Sequence, residues 1–305
     1  MNNIVFRVDS SVAIGTGHVM RCLTLAGQLK KMGANISFIC RELEGDLNNY
    51  IKESGYNVQP LSKVKTSESN NIFKWYKENW QQDVYETRFV IENQTYIVDV
   101  LIIDHYYGPN YVLIREEFIK AYPLKRNCNG IIQNILVFMG GSDPTNETIK
   151  VLDALALLEI NTIVNVVVGS SNKIKGVIQE YCDRYSNFFF YCQVSNMAKL
   201  MNEADLIIGS GGTTTWERCY LGVPSITIIV SDNQEQLTNT VSKFLGTINL
   251  GFYHKTTSKH ILQTVRELMM YPEKVKLISE CASKLVNPKI IHAYPVANMI
   301  MEELR

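Results

Sequence analysis

The sequence predicts an α/β protein built from two Rossmann-like domains with parallel sheets. Strand-like apolar runs alternate with helix-period patterns along the chain, the order that joins parallel strands through crossover helices. Three of the expected strand-to-helix loops are rich in glycine and hydroxyl side chains. A polar, turn-prone stretch, Lys125 to Gly130, divides the series into two.

The elements follow in order. Ile4 to Val8 reads as a buried strand, and a loop of small residues leads to Gly15-Thr16-Gly17. From His18 the pattern turns helical, with Val19, Cys22, Leu23, Ala26 and Leu29 on one face and Gly33 placed to end the helix. Ile36 to Cys40 is a second strand candidate. Ser62 to Asn93 is more polar, carries Trp75, Trp80 and Tyr85, and reads as helix and loop. Val98 to Ile103 is a strand ending at Asp104-His105-Tyr106. Beyond the linker, strands are expected at Ile135 to Met139, Ile163 to Val168, Phe188 to Tyr191, Leu206 to Ile208 and Ser225 to Val230, with helices between them. Lys259 to Met270 and Ala293 to Glu303 read as helices.

Composition narrows the function. The 305 residues suffice for two domains, and the 46% apolar fraction can support a packed core. Thirty basic and thirty acidic side chains balance, leaving neither a nucleic-acid footprint nor a polybasic attraction to membranes. The seven cysteines are scattered and contain no Cys-x-x-Cys pair, so free thiols in a reducing compartment are expected. Asn2 to Asp9 enters a strand pattern at once, without the features of a signal peptide. A cytoplasmic protein with no nucleic-acid or membrane partner is expected.

Chemistry concentrates in the glycine-rich loops, because ligands of open α/β sheets bind outside the carboxyl ends of the strands. In Gly15-Thr16-Gly17-His18-Val19-Met20-Arg21 a histidine stands at a helix start. It lacks the third glycine of a dinucleotide fingerprint and the lysine of a P-loop. A neutral imidazole base and a plain first-turn polar residue fit this pattern equally. In Gly209-Ser210-Gly211-Gly212-Thr213-Thr214-Thr215-Trp216-Glu217, backbone N–H groups and hydroxyls suit a diphosphate, with Glu217 one turn on to accept from ribose hydroxyls. Gly222-Val223-Pro224 ends that helix. Gly140 to Asn146 carries Ser142 and Asp143, with Asp143 a helix cap and Pro144 at the first helical position. Asn233-Gln234 adds two amides that suit sugar hydroxyls, with a cap at Asn233 an equal reading. No histidine pair has metal-ligand spacing and no acidic pair lies where a metal-bound diphosphate would sit, so neither metal nor cofactor is expected.

Together the segments Arg7-Val8-Asp9-Ser10, Ile14 to His18, Arg21-Cys22-Leu23, Asp104-His105-Tyr106, Gly140 to Asp143, Gly209 to Glu217 and Asn233-Gln234 resemble, in order, the UDP-2,4-diacetamido-2,4,6-trideoxy-β-L-altropyranose hydrolases of the pseudaminic acid pathway. The resemblance extends to about Gly251. It implies a GT-B fold, two Rossmann-like domains with parallel sheets facing a central cleft, similar to the transferase that adds GlcNAc to lipid I. It also implies metal-independent, inverting hydrolysis to UDP and the free sugar. His18 would be the base that activates water, with Tyr106 and Asn233 positioning sugar or water. Arg7, Asp9, Gly15, Gly17, Arg21, Gly141, Ser142, Gly211, Gly212, Thr213, Thr214, Glu217 and Gln234 would bind the UDP-sugar. One departure from the family is that Tyr107 joins Gly108 directly, where the family carries about two more β–α units. A shortened N-terminal domain follows.

The expected domains are 1–128, carrying the histidine and the sugar side, and 129–305, binding UDP, with the last helix packing back on the first. The expected protein is a monomeric UDP-sugar hydrolase. A GT-B UDP-sugar glycosyltransferase and a non-catalytic nucleotide-sugar binding protein are the alternatives.

Overall fold

The computed structural model describes residues 2–64, 72–103, 112–122, 126–158, 162–292 and 294–304. The chain divides into two compact units, Met1–Leu113 with Ala293–Arg305, and Ile114–His292. The stretch read as a linker lies inside the second unit, where Arg126 donates to the Asn202 and Ala204 carbonyls.

In the first unit, β1 (Asn3–Arg7), β2 (Asn35–Arg41), β3 (Asn57–Leu61) and β4 (Val100–Ile103) form a parallel sheet in the order β3-β2-β1-β4. Ile4, Val5 and Phe6 are buried in succession, as a central parallel strand covered on both faces requires. On one face Ile4, Phe6 and Val8 pack with Val19, Cys22, Leu25, Ala26 and Leu29 of helix Gly17–Lys31. Val296 and Ala297 of helix Pro295–Glu303 join the same cluster. Gly33 adopts φ +90° and ends the first helix, as expected from its position. On the other face Val5, Ile39 and Leu61 meet Val90 and Ile91 of helix Ile72–Glu92, which breaks at Asn79. Of the three aromatic residues singled out there, Trp75 is buried and Trp80 and Tyr85 are exposed.

The second unit holds β5 (Asn134–Phe138), β6 (Ile163–Val168), β7 (Phe188–Cys192), β8 (Leu206–Ser210), β9 (Ser225–Ile229) and β10 (Ile248–Phe252). They pair in parallel in the order β10-β9-β8-β5-β6-β7. Read from β7, this is the doubly wound order 3-2-1-4-5-6, whose direction reverses between β5 and β8. Ligands bind at such a reversal because the loops leaving the two strands turn to opposite faces and open a crevice.

Local pattern does not mark β3 or β10 as strands. Both are edge strands, and one contains Pro60 while the other contains Asn249 and Gly251. An edge tolerates proline and glycine that would break a central ladder, so their sequences carry little strand signal. Pro144 also departs from expectation. Asp143 (φ 41°) and Asn146 (φ 58°) first turn the chain through left-handed backbone, and the helix begins only at Glu147.

Candidate functional site

The loops leaving β5 and β8 lie against each other, since a Cβ on Gly140 would stand 3.7 Å from Ser210 Oγ. Gly140 takes φ +93°, a conformation that L side chains adopt with strain. The Gly141 carbonyl accepts from Gly169 N (3.0 Å) and Ser171 Oγ (3.4 Å), and a Cβ on Gly169 would lie 2.4 Å from it. The close approach of the β5 and β6 loops therefore depends on glycine. Ser142 is buried beside them. Asp143 is a cap: its carboxylate accepts from Glu147 N (3.0 Å) and Thr148 N (2.8 Å). Burial pushes the neighbouring Glu147 carboxyl above its ordinary range against the pull of Lys150.

The loop after β8 is built around a side chain from further along. Gln234 Oε1 accepts from Gly211 N (3.1 Å) and Val230 N (3.2 Å), which ties the loop to the end of β9. A Cβ on Gly211 would lie 2.1 Å from Thr238 Oγ1, so no other residue fits there without movement. Gly212, Thr213 and Thr214 are half-buried and Thr215 is buried. Helix Thr214–Tyr220 follows and ends at Gly222 (φ +65°). Asn233 lies exposed in the short 3-10 turn Asp232–Gln234, where its Oδ1 accepts from Ser231 Oγ.

Glu217 is buried and already engaged. Arg115 Nε donates to its Oε1 (2.6 Å) and Arg115 Nη2 to its Oε2 (2.9 Å), a bidentate pair of the strongest kind. The residue expected to read ribose therefore meets a guanidinium 102 positions away. Arg115 also contacts Glu117 (2.7 Å), whose carboxyl burial pushes up.

In the first unit, the loop after β1 folds on itself. Gly15 takes φ +84° and its N–H donates to Ser11 O (2.8 Å). Gly17 then opens the helix that carries His18 half-buried in its first turn. Arg21 Nη2 lies 2.9 Å from His18 Nδ1. A guanidinium only donates, so Nδ1 accepts and the neutral ring carries its proton on Nε2.

Arg7 and Asp9, expected to touch substrate, bond to each other at 2.6 Å. Asp9 also accepts from Arg41 N (2.6 Å) and the Tyr76 hydroxyl. Asp83 accepts from Arg7 (2.7 Å) and Arg41 (2.6 Å), and Glu86 meets Arg41 at 2.7 Å. Burial alone would raise the Asp9 carboxyl; the Arg7 charge, the Arg41 N–H and the Tyr76 hydroxyl outweigh it and hold Asp9 below the usual range. Burial likewise pushes the Tyr76 hydroxyl up. Tyr106 lies outside the described residues. Among the described residues no three His, Cys, Asp or Glu side chains are grouped to hold a metal ion. No helix among them is long and apolar enough to cross a membrane.

Arg218, which no motif marks, sits behind the β8 loop with 1% exposure. Its Nη2 donates to Ser210 O (3.0 Å), Thr215 Oγ1 (2.7 Å) and Thr227 Oγ1 (3.4 Å). A charged residue between Glu217 and the apolar run Cys219-Tyr220-Leu221 was the available signal.

Comparisons with known proteins agree with this architecture. An uncharacterized protein of Methanocaldococcus jannaschii is 28% identical over 293 residues, 81% of this chain, and this chain spans 60% of its length. The UDP-2,4-diacetamido-2,4,6-trideoxy-β-L-altropyranose hydrolase of Campylobacter jejuni is 27% identical over 276 residues, covering 79% of this chain and 96% of the relative. The spinosyn rhamnosyltransferase SpnG, solved with thymidine diphosphate, superimposes with a TM-score of 0.66 at 12% identity, over 100% of both chains, and the fold is GT-B. Residues 134–292, more than half of the chain, match the glycosyltransferase family 28 C-terminal domain, and the protein belongs to that family.

Proposed function

We propose that the chain hydrolyses UDP-2,4-diacetamido-2,4,6-trideoxy-β-L-altropyranose to UDP and the free sugar. The observation that carries this reading is the likeness to the Campylobacter hydrolase, which runs over 96% of that protein's length. The two glycine loops at the β5/β8 reversal support it, because backbone N–H groups and threonine hydroxyls there suit a diphosphate. In the proposed reaction a water oxygen attacks the anomeric carbon with inversion. The C1–O bond breaks, its electron pair leaves with UDP, and the water proton passes to His18. UDP is a good leaving group, so an oriented water and a held diphosphate account for most of the catalysis.

In this reading Gly141, Ser142 and the Gly211 to Thr214 loop hold the diphosphate, and Asn233, Gln234 and Tyr106 the sugar or water; Glu217, whose oxygens each accept from Arg115, takes the ribose hydroxyls on its remaining lone pairs. Arg7 and Asp9 position the loop after β1 rather than contact substrate, since their charges are taken by protein. For His18 to accept a proton at Nδ1, Arg21 must leave that nitrogen when substrate binds. The test is UDP release from this nucleotide sugar by the purified chain, and a rate equal to the buffer blank would sink the proposal.

The family match favours a second reading, a glycosyltransferase using the same UDP site. A sugar or lipid acceptor added to the assay separates the two. Under the transferase reading UDP release requires the acceptor, and under the hydrolase reading it does not.

A further inference from the structure

Arg218 is a buried cation with no carboxylate of its own. Among the described residues it forms no ion pair, and its Nε has no hydrogen-bond partner. Glu217, the carboxylate beside it in sequence, has both oxygens held by Arg115. Burial pulls the Arg218 guanidinium down to about 10. Burying a charge without a counter-charge is costly, and proteins ordinarily pair or hydrate it.

The position of the group gives the cost a use. Its Nη1 would stand 2.7 Å from a Cβ on Gly209, and Phe138 O at the end of β5 would stand at the same distance. The guanidinium thus crosses the backbone where β8 meets β5, at the sheet reversal. Its two shortest hydrogen bonds hold Ser210 O and Thr215 Oγ1, which bracket the Gly211–Thr214 segment.

We propose that Arg218 is the built-in counter-charge of the β8 loop, a positioning residue that makes this loop select a diphosphate over an uncharged nucleoside. It fixes both ends of the loop and supplies, from behind it, a positive potential that Glu217 offsets from a distance without touching it and that an anion on the far side of the loop would compensate. The low dielectric around a fully buried group strengthens that potential over what a surface arginine would give. The inference rests on the reading that this loop holds the diphosphate of a nucleotide.

The experiment compares UDP and uridine affinities by calorimetry for the full-length wild type and Arg218→Met, with the melting temperature of each free protein. The UDP-to-uridine affinity ratio is expected to fall by about tenfold or more, the scale of one strong charge-assisted contact. The ligand-free variant is expected to melt below the wild type, because the buried Ser210 carbonyl and the Thr215 and Thr227 hydroxyls lose their donor. A purely structural arginine predicts that lower melting temperature with the ratio unchanged, and an unchanged ratio overturns the proposal. If Arg218→Met does not fold, Arg218→Lys decides: a retained ratio supports the charge, and a ratio unchanged in Arg218→Gln as well refutes it. A wild type that binds UDP no better than uridine overturns both this inference and the diphosphate reading. A falling ratio without any hydrolysis overturns only the hydrolase assignment.

Discussion

Arg41 in the first unit and Arg218 in the second are each 1% exposed, and each holds a backbone carbonyl near the carboxyl end of a parallel strand. Arg41 is enclosed by Asp83 and Glu86 and lies over the Trp75 ring. Among the described residues Arg218 hydrogen-bonds a carbonyl and two threonine hydroxyls. The acidic side chains of helix Ile72–Glu92 neutralise the first arginine from above the sheet, whereas no carboxylate among the described residues makes an ion-pair contact with the second, on which Glu217 acts only from a distance. A cation matched by carboxylates belongs to the scaffold. One left unmatched beneath a glycine loop leaves its charge available to an anionic ligand.

The largest expected effect breaks the matched side. Asp83→Asn removes the carboxylate shared by Arg7 and Arg41 and should cost about 3 kcal/mol or more, the scale for stripping a partner from a buried ion pair. Urea denaturation measures it, and a loss below about 1 kcal/mol would mean that the network is not what holds the helix to the sheet. His18 sharpens the comparison, because Arg21 is an arginine met by an imidazole. His18→Gln should leave UDP affinity intact while hydrolysis falls roughly a hundredfold, the range for losing a general base; near-normal turnover would remove His18 from that role.

Glu217 shows a third arrangement, a carboxylate that protein already pairs at a proposed ligand position. Glu217→Ala should weaken UDP binding by about 1–3 kcal/mol through lost charged hydrogen bonds. Unchanged affinity by calorimetry would assign the Arg115–Glu217 pair to the scaffold, alongside Arg41. The smallest effect is one of pH. Because the folded structure holds Asp9 below its ordinary value, its contribution is complete above about pH 4 and fades as pH falls toward the lower folded value. Asp9→Asn should be less stable at neutral pH and lose less on acidification below about pH 4. Parallel acid profiles for the two proteins would show that Asp9 has no part in the pH dependence.

Much of the molecule was legible in short segments. Apolar runs located the central strands to within a residue or two at most ends, as at β6, Ile163–Val168. Gly33, Gly222 and the β5 and β8 loops announced themselves, because left-handed backbone and close approach admit glycine with little competition. The edge strands β3 and β10 were not legible, since an edge needs neither a long apolar run nor an unbroken ladder. For the candidate site residues, local pattern accounts for residue types but not for their partners. Arg7 and Asp9 look alike whether they face a substrate or each other.

What the sequence by itself determined, then, is the alternation of strands and helices and the chemistry of the loops at the strand ends, because propensity, periodicity and turn geometry act within a few residues. Only the tertiary structure decided which charges are spent inside the protein. Arg7 finds Asp83 at a separation of 76 positions, Arg115 finds Glu217 at 102, and helix Pro295–Glu303 joins the first unit. Such pairings depend on how the elements pack, and a charge in a low-dielectric interior is governed by whatever the fold places within a few ångströms of it.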